Sequence, residues 1–246
     1  MKKPIGAQGP RVQQQPDGAV RQSQMVTTFG PGSMVDLLHD AVLVGGAAAA
    51  VHANHRVSYD DDHVVRDLRA RFDGVLADLE DTDGWVTARV ARPVQVLGSL
   101  DGVETGVRNL IRQRPLEVEL HETPHGPIRV PTLAEMARIK AWLVLRRNAT
   151  RDYLDLVALA ERLGPEAAPT LVALDVWYAD QIGPGGERIA TQLARQLAEP
   201  SPYDLSEVDL ARYRQLDPRW RDWTGVADAC RALAVAMLDR LVVGDP

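Results

Sequence analysis

A single cysteine, Cys230, in a chain of 246 residues excludes an internal disulfide and fits a reducing compartment, so a cytoplasmic location is expected. No C-x-x-C pair or zinc-spaced cluster exists. Aromatics make up only 5% of the chain, which leaves Ala, Val and Leu to fill most of the core. Long apolar runs are also missing. The longest, around residues 41 to 51, is too short to span a bilayer and contains Gly45 and Gly46. Lys2 and Lys3 lead into polar residues where a secretory leader needs an apolar stretch. A membrane partner is therefore not expected. The net charge of -6 argues against a chain that coats nucleic acid nonspecifically, while leaving room for a local basic groove. His52, His55, His63, His121 and His125 show no metal spacing, and no serine or cysteine is set to complete a hydrolytic triad with them.

What is present is ordinary globular material, 45% hydrophobic and 25% charged. Three regions are expected: a flexible arm over 1–25, a mixed sheet with helices over 26–131, and a helical half over 132–246. The class is α+β. Gly30-Pro31-Gly32 predicts a turn, and Ser33 a cap for a short helix over 34–39. Val42 to Val44 reads as a buried strand, broken at Gly45-Gly46, with a helix from Ala47. A second strand ends in Asp60-Asp61-Asp62, and a helix runs from His63 to about Glu80 on a 3.6-residue period. Strands follow over 85–90, 94–97, 103–111, 116–120 and 128–130, with Asp101-Gly102 as a hairpin turn. Thr132 and Glu135 form a capping box for a helix to about Arg147. Thr150 is expected to cap the next helix, which Gly164-Pro165 ends. Further helices are predicted over 171–178, 187–197 and 226–241.

The chemistry lies between Val42 and Val65. Alternate strand residues share a face, so Asp60 and Asp62 project together. Two adjacent carboxylates repel unless a cation lies between them, and hard oxygen ligands favour magnesium or manganese. Glycines let backbone N–H groups approach phosphate oxygens. A two-metal site needs a third carboxylate; Glu117 and Glu119 share one strand face, and Glu119 is favoured. Each feature has a plainer explanation. Gly-Gly is commonly a tight turn, Asp60 to Asp62 suits the N-terminus of the helix expected at His63, and Glu117 and Glu119 suit a solvent-facing edge strand. The order of the parts favours the chemical reading: strand, diglycine, helix, then a strand ending in D-x-D. Lys140 interrupts an apolar helix stripe, either to reach phosphate or to snorkel to the surface. Asp152 and Asp155 lie three apart on one helix face, although Asp152 also suits the helix dipole. Arg146, Arg147 and Arg151 read as solvated ion pairs ahead of phosphate ligands.

Gly45-Gly46 followed by His55-Arg56-Val57-Ser58-Tyr59-Asp60-Asp61-Asp62 resembles the G-G … R-x-S-x-D-x-D signature of the AbiEii-type nucleotidyltransferases, the toxins of abortive-infection toxin–antitoxin systems. Ile139-Lys140 and Arg151-Asp152-Tyr153-Leu154-Asp155-Leu156 are similar to that family's later lysine and R-D-x-x-D-L helix. The resemblance implies a polymerase-β-like core, magnesium (or manganese), and transfer of a nucleoside monophosphate from an NTP to RNA (tRNA) or protein, with a cognate antitoxin as partner. It implies Asp60 and Asp62 as catalytic metal ligands. Gly45, Gly46, Arg56 and Ser58 become nucleotide-binding residues, and Lys140 with Asp152 or Asp155 becomes triphosphate and catalytic support. Two departures stand out: Ala47 follows the second glycine where many members have Ser or Thr, and the third carboxylate would be Glu. Residues 20–46 also resemble the N-terminal segment of a DISARM phage-defence protein. The rival expectation is a catalytically silent transferase fold that docks a defence partner.

Overall fold

The computed structural model describes residues 38–58, 60–124 and 126–243. The arm over 1–25, the turn at 30–32 and nearly all of the helix expected over 34–39 lie outside them, as does most of the DISARM-like stretch.

Strand β1 (Val42–Val44) is buried on both faces and passes directly into helix α1 (Gly45–Ala53). Ala47, Ala48 and Ala49 are buried, and their small side chains let α1 pack closely against the helical half. Asn54, with φ +49°, closes α1 by donating its N–H to Ala50 O at 2.8 Å.

Strand β2 (Asp61–Val65) corrects the sequence reading. The aspartate run opens this strand instead of ending it, and Asp60 stands just before it. Asp61, His63 and Val65 are buried while Asp62 and Val64 are half-buried, a period of two that belongs to a strand. Pairing to neighbours on both sides, antiparallel to β1 and parallel to β5 (Val103–Asn109), overrides the local helix signal at His63. Helix α2 (Leu68–Glu80) starts five residues later, with Leu68, Phe72, Val75, Leu76 and Leu79 buried as expected.

Strands β3 (Trp85–Ala91) and β4 (Gln95–Leu100) complete a five-stranded mixed sheet in the order β1-β2-β5-β4-β3. Asp101 and Gly102, with φ +50° and +82°, make the β4–β5 turn. Helix α2 covers one face of this sheet, where Val65, Val96 and Val107 meet Leu68, Phe72, Val75 and Leu79. Asp62 belongs to the other face.

Strands β6 (Val118–Thr123) and β7 (Gly126–Pro131) form a separate hairpin. It leads into helix α3 (Leu133–Arg147), whose Thr132 Oγ1 accepts from Glu135 N–H at 3.3 Å. In helix α4 (Thr150–Leu163) the cap position falls on Ala149. Thr150 instead donates its hydroxyl and N–H to Asp204 Oδ1, at 2.7 and 2.8 Å. Helices α5 (Ala167–Val172), α6 (Leu174–Trp177), α7 (Ile189–Ala198) and α8 (Trp223–Val243) follow. The helix expected over 171–178 is thus two short ones. The larger hydrophobic cluster joins these helices to Leu43, Ala47, Ala48, Ala49, Ile128 and Val130, so α1 and β7 pack on the helical side. Cys230 is wholly buried in α8 and burial pushes its thiol up to about 12, leaving it inert. Among the described residues no helix is long and apolar enough to cross a membrane.

Strands β4 and β5 meet with no spare room at Gly106, where a Cβ would lie 2.5 Å from Leu97 Cδ2 and 2.8 Å from Val96 O. Gly106→Ala is expected to cost about 1–3 kcal/mol, read as a lower urea midpoint. An unchanged midpoint would contradict this packing.

Candidate active site

The diglycine does two separate jobs. Gly45 has φ +73°, where a side chain is strained, and a Cβ there would meet Asp62 Cβ and Oδ2, each at 3.3 Å. A Cβ on Gly46 would meet Ser58 Oγ at 2.4 Å and Arg56 Nη2 at 2.5 Å. Both glycines therefore let the first turn of α1 lie against the segment that carries Arg56, Ser58 and the aspartates. All of these residues border one cavity of about 510 Å³, together with Lys140, Arg147 and Arg151 from the α3–α4 region. The N-terminal amides of α1 have no helical acceptor and provide a preformed anion site.

Ser58 Oγ donates to Asp60 Oδ1 at 2.9 Å. Burial opposes ionisation of Asp60. The Ser58 hydroxyl, a backbone N–H and the charges of Arg151 and Arg56 outweigh it and hold the carboxyl below its usual range. Asp61 points to the other face of β2, where burial and the flanking Asp60 and Asp62 charges push it up to about 8. The two cavity aspartates thus bring negative charge to one wall of a basic cavity.

Asp155 and Asp152 were expected to act at the site, but both are wholly buried in α4 and do not line the cavity. Asp155 gathers four donors: Arg56 Nε at 2.7 Å, Arg56 Nη2 at 2.9 Å, His55 Nε2 at 2.7 Å and Lys140 Nζ at 2.7 Å. Burial would raise its pKa, but the Arg56 and Lys140 charges and the His55 hydrogen bond hold it well below the carboxylate range. Asp152 accepts from Arg147 Nη2 at 2.8 Å and Nε at 3.1 Å, with Lys140 Nζ at 3.6 Å. These two carboxylates position the cations that border the cavity. Lys140 is only 2% exposed, so it does not snorkel.

Glu117 and Glu119 do not join the aspartates. Their hairpin is not part of the five-stranded sheet. Glu119 lies 3.9 Å from His52, near the opposite end of α1 from the diglycine, and Glu117 pairs with Arg138. Neither borders the cavity.

The sequence reading missed the far wall. Asp209, Arg212, Tyr213 and Arg214 complete the cavity. Backbone bonds from Val57 N–H to Arg214 O (3.2 Å) and from Asp217 N–H to His55 O (2.9 Å) hold that segment against the R-x-S loop, and Arg56 sits 5.7 Å from the centre of the Tyr213 ring. The only local signal was an aromatic between two arginines, which says nothing about a partner so distant in sequence. Arg147 and Arg151, read as ion pairs, also line the cavity. Among the described residues, six basic and three acidic side chains border it, within a chain of net charge -6.

A diglycine helix start packed against a D-x-D at the edge of a basic cavity, on a mixed sheet with a helical half, defines a nucleotidyltransferase. Residues 35–239 match the family described as nucleotidyl transferase AbiEii toxin, Type IV TA system, and the chain belongs to that family. A structure of a candidate nucleotidyltransferase from H. pylori superposes with a TM-score of 0.52 at 14% identity, covering 94% of this chain and 100% of that one; it shows a shared fold alone. JHP933 from Helicobacter pylori gives 0.49 at 14% identity, covering 92% and 94%. Among curated proteins, the heme uptake protein MmpL11 of Mycobacterium tuberculosis is 36% identical and the mycolic acid-containing lipids exporter MmpL11 of Mycolicibacterium smegmatis 33%, each over 130 residues. Those residues are 52% of this chain and only 13% of either relative's length.

The buried cluster sets a pH dependence. Burial lowers the His55 pKa from 6.5, so the folded chain keeps His55 neutral where the unfolded chain takes up a proton. His63, lowered to about 4, acts in the same direction, while Asp61, raised to about 8, takes up its proton first in the folded chain and opposes them; with two histidines against one carboxyl, stability falls as pH drops below about 6.5. Asp155 has a depressed folded pKa; its contribution is complete above the unfolded carboxyl value of about 3.9 and is lost below it. Calorimetry without nucleotide should show Tm declining from about pH 6.5 and more steeply below about 4. A flat Tm between pH 7 and 4 would contradict this. Asp155→Asn at neutral pH should lower stability by about 3–5 kcal/mol, since it leaves buried cations uncompensated.

Proposed function

We propose that this nucleotidyltransferase moves a nucleoside monophosphate from an NTP to a hydroxyl on RNA (tRNA ends included) or on a protein, as the toxin of a toxin–antitoxin pair acting in phage defence. The observation that carries the reading is the shared cavity: glycine-exposed helix amides, six basic side chains and the Asp60–Asp62 pair in one space of about 510 Å³.

The α1 amides and the cations Arg56, Lys140, Arg147 and Arg151 hold the triphosphate and fix the α-phosphorus. The acceptor oxygen attacks that phosphorus and a new P–O ester bond forms. The bond to the oxygen bridging the α- and β-phosphates breaks, so pyrophosphate leaves. The acceptor's proton passes to Asp60 or to water. Lys140 and the arginines neutralise charge that builds on the leaving group.

Asp60 and Asp62 suit magnesium or manganese: both are carboxylates on the same wall, and Gly45 leaves space over Asp62 Oδ2. Mg²⁺ is typically held by one or two carboxylates plus substrate phosphates. When bound, the cation supplies Lewis-acid polarisation of the phosphoryl oxygens. Family membership supports a cognate antitoxin as partner, and the lone buried cysteine supports a cytoplasmic site of action.

Purified protein with magnesium and radiolabelled NTPs is expected to label cellular RNA or protein, and Asp60→Asn to abolish labelling. A saturating NTP with magnesium should also stabilise the wild type by about 2.7 kcal/mol at one hundred times its Kd. Gly46→Ala should lose that stabilisation, because its methyl displaces Ser58 and Arg56. If no NTP shifts Tm and none labels an acceptor, the proposal fails.

A further inference from the structure

Strand β5, beside the two aspartates, limits how many cations they can hold. It runs parallel to β2 with Asp62 opposite Gly106, so Glu104, Gly106 and Arg108 share the D-x-D face. A third carboxylate opposite Asp62 has no room, because even a Cβ at Gly106 would lie 2.5 Å from Leu97 Cδ2 and 2.8 Å from Val96 O. The next position on that face is an arginine. Arg108 Nε and Nη2 each lie 3.4 Å from Asp62 Oδ1. Gln95 on β4, turned to the amide orientation that satisfies both groups, accepts from Arg108 Nη1 at 2.6 Å and Nη2 at 3.1 Å. The guanidinium is thus held from two strands. Glu104 lines a neighbouring cleft of about 370 Å³ that also borders Asp60, Asp62, Arg108 and Arg151. Among the described residues, no three carboxylate, histidine or cysteine side chains group so as to hold a metal ion.

Resting on the nucleotidyl-transfer reading above, we infer that the site holds one divalent cation and not two, and that Arg108 is a positioning residue whose fixed charge takes the place of the second. The Asp60–Asp62 pair carries the negative charge of the D-x-D, and Arg108 compensates part of it at Asp62 Oδ1. What remains matches one divalent ion that draws its other ligands from phosphate and water. A second ion, about 3.5–4 Å from the first in two-metal sites, would face the first ion and the guanidinium, and among the described residues neither Glu104 nor any other carboxylate groups with Asp60 and Asp62 into a three-ligand set that would offset the repulsion. Arg108 lies on the side of Asp62 that opens to the 370 Å³ cleft.

The test counts manganese by electron paramagnetic resonance on the full chain with a non-hydrolysable NTP analogue. One Mn²⁺ per chain is expected, and two would overturn the inference. Without nucleotide, Arg108→Met should bind Mn²⁺ about tenfold more tightly than the wild type, because Asp62 loses a competing cation. Adding Asp62→Asn should remove that gain. Arg108 is about half exposed, so neither outcome depends on refolding a core position. An unchanged Mn²⁺ affinity in Arg108→Met would overturn the role given to Arg108. If the analogue does not bind but manganese alone still tightens in Arg108→Met, the transfer reading falls while Arg108's hold on Asp62 stands.

Discussion

One wholly buried carboxylate organises the site. Asp155 takes the adjacent His55 and Arg56 and the distant Lys140 from two other parts of the chain and fixes them with bonds of 2.7 to 2.9 Å. A buried charge is tolerated only when partners replace the water it has lost. The dependence runs both ways: the cations satisfy Asp155, and Asp155 stops long flexible side chains from swinging into solvent. Arg56 and Lys140 therefore meet the cavity already oriented, and little ordering entropy remains to be lost when an anion arrives. Asp152 does the same for Arg147.

Charge is then sorted by distance from this hub. The cavity wall beside it is rich in cations, although the chain as a whole is acidic. Asp60 and Asp62 stand at the boundary between that wall and the open face of the sheet, and border both cavities. Arg108 and Arg151 flank them. Opposite local fields thus stand side by side, on a scaffold where sheet and helical half are joined through α1, as the proposed pairing of an anionic triphosphate with a divalent cation requires.

The local patterns were read well where one strand or helix made its own case. The break at the diglycine, the Thr132 cap and the Asp101-Gly102 turn each follow from steric or hydrogen-bonding rules within a few residues, whereas the aspartate run opens its strand and was expected to end one. The helix expected from His63 failed because strand pairing on both sides of β2 outvoted a local apolar period. Glu119 failed for a different reason. Its strand alternates cleanly, but alternation does not say which sheet a strand joins. The wall formed by Asp209 to Arg214 could not be read at all, since two backbone hydrogen bonds to the 55–57 loop create it.

By itself the sequence determined the chemistry available: carboxylates two apart, glycines where a side chain would collide, and cations spaced along two helices. These are properties of short segments, set by backbone period and side-chain type. The tertiary structure decided which charges face the cavity and which hold others in place. It buried Asp152 and Asp155, brought Arg212 to Arg214 across, and set Arg108 against Asp62. Burial and parallel strand register depend on contacts between residues far apart in the chain, and no local pattern encodes them.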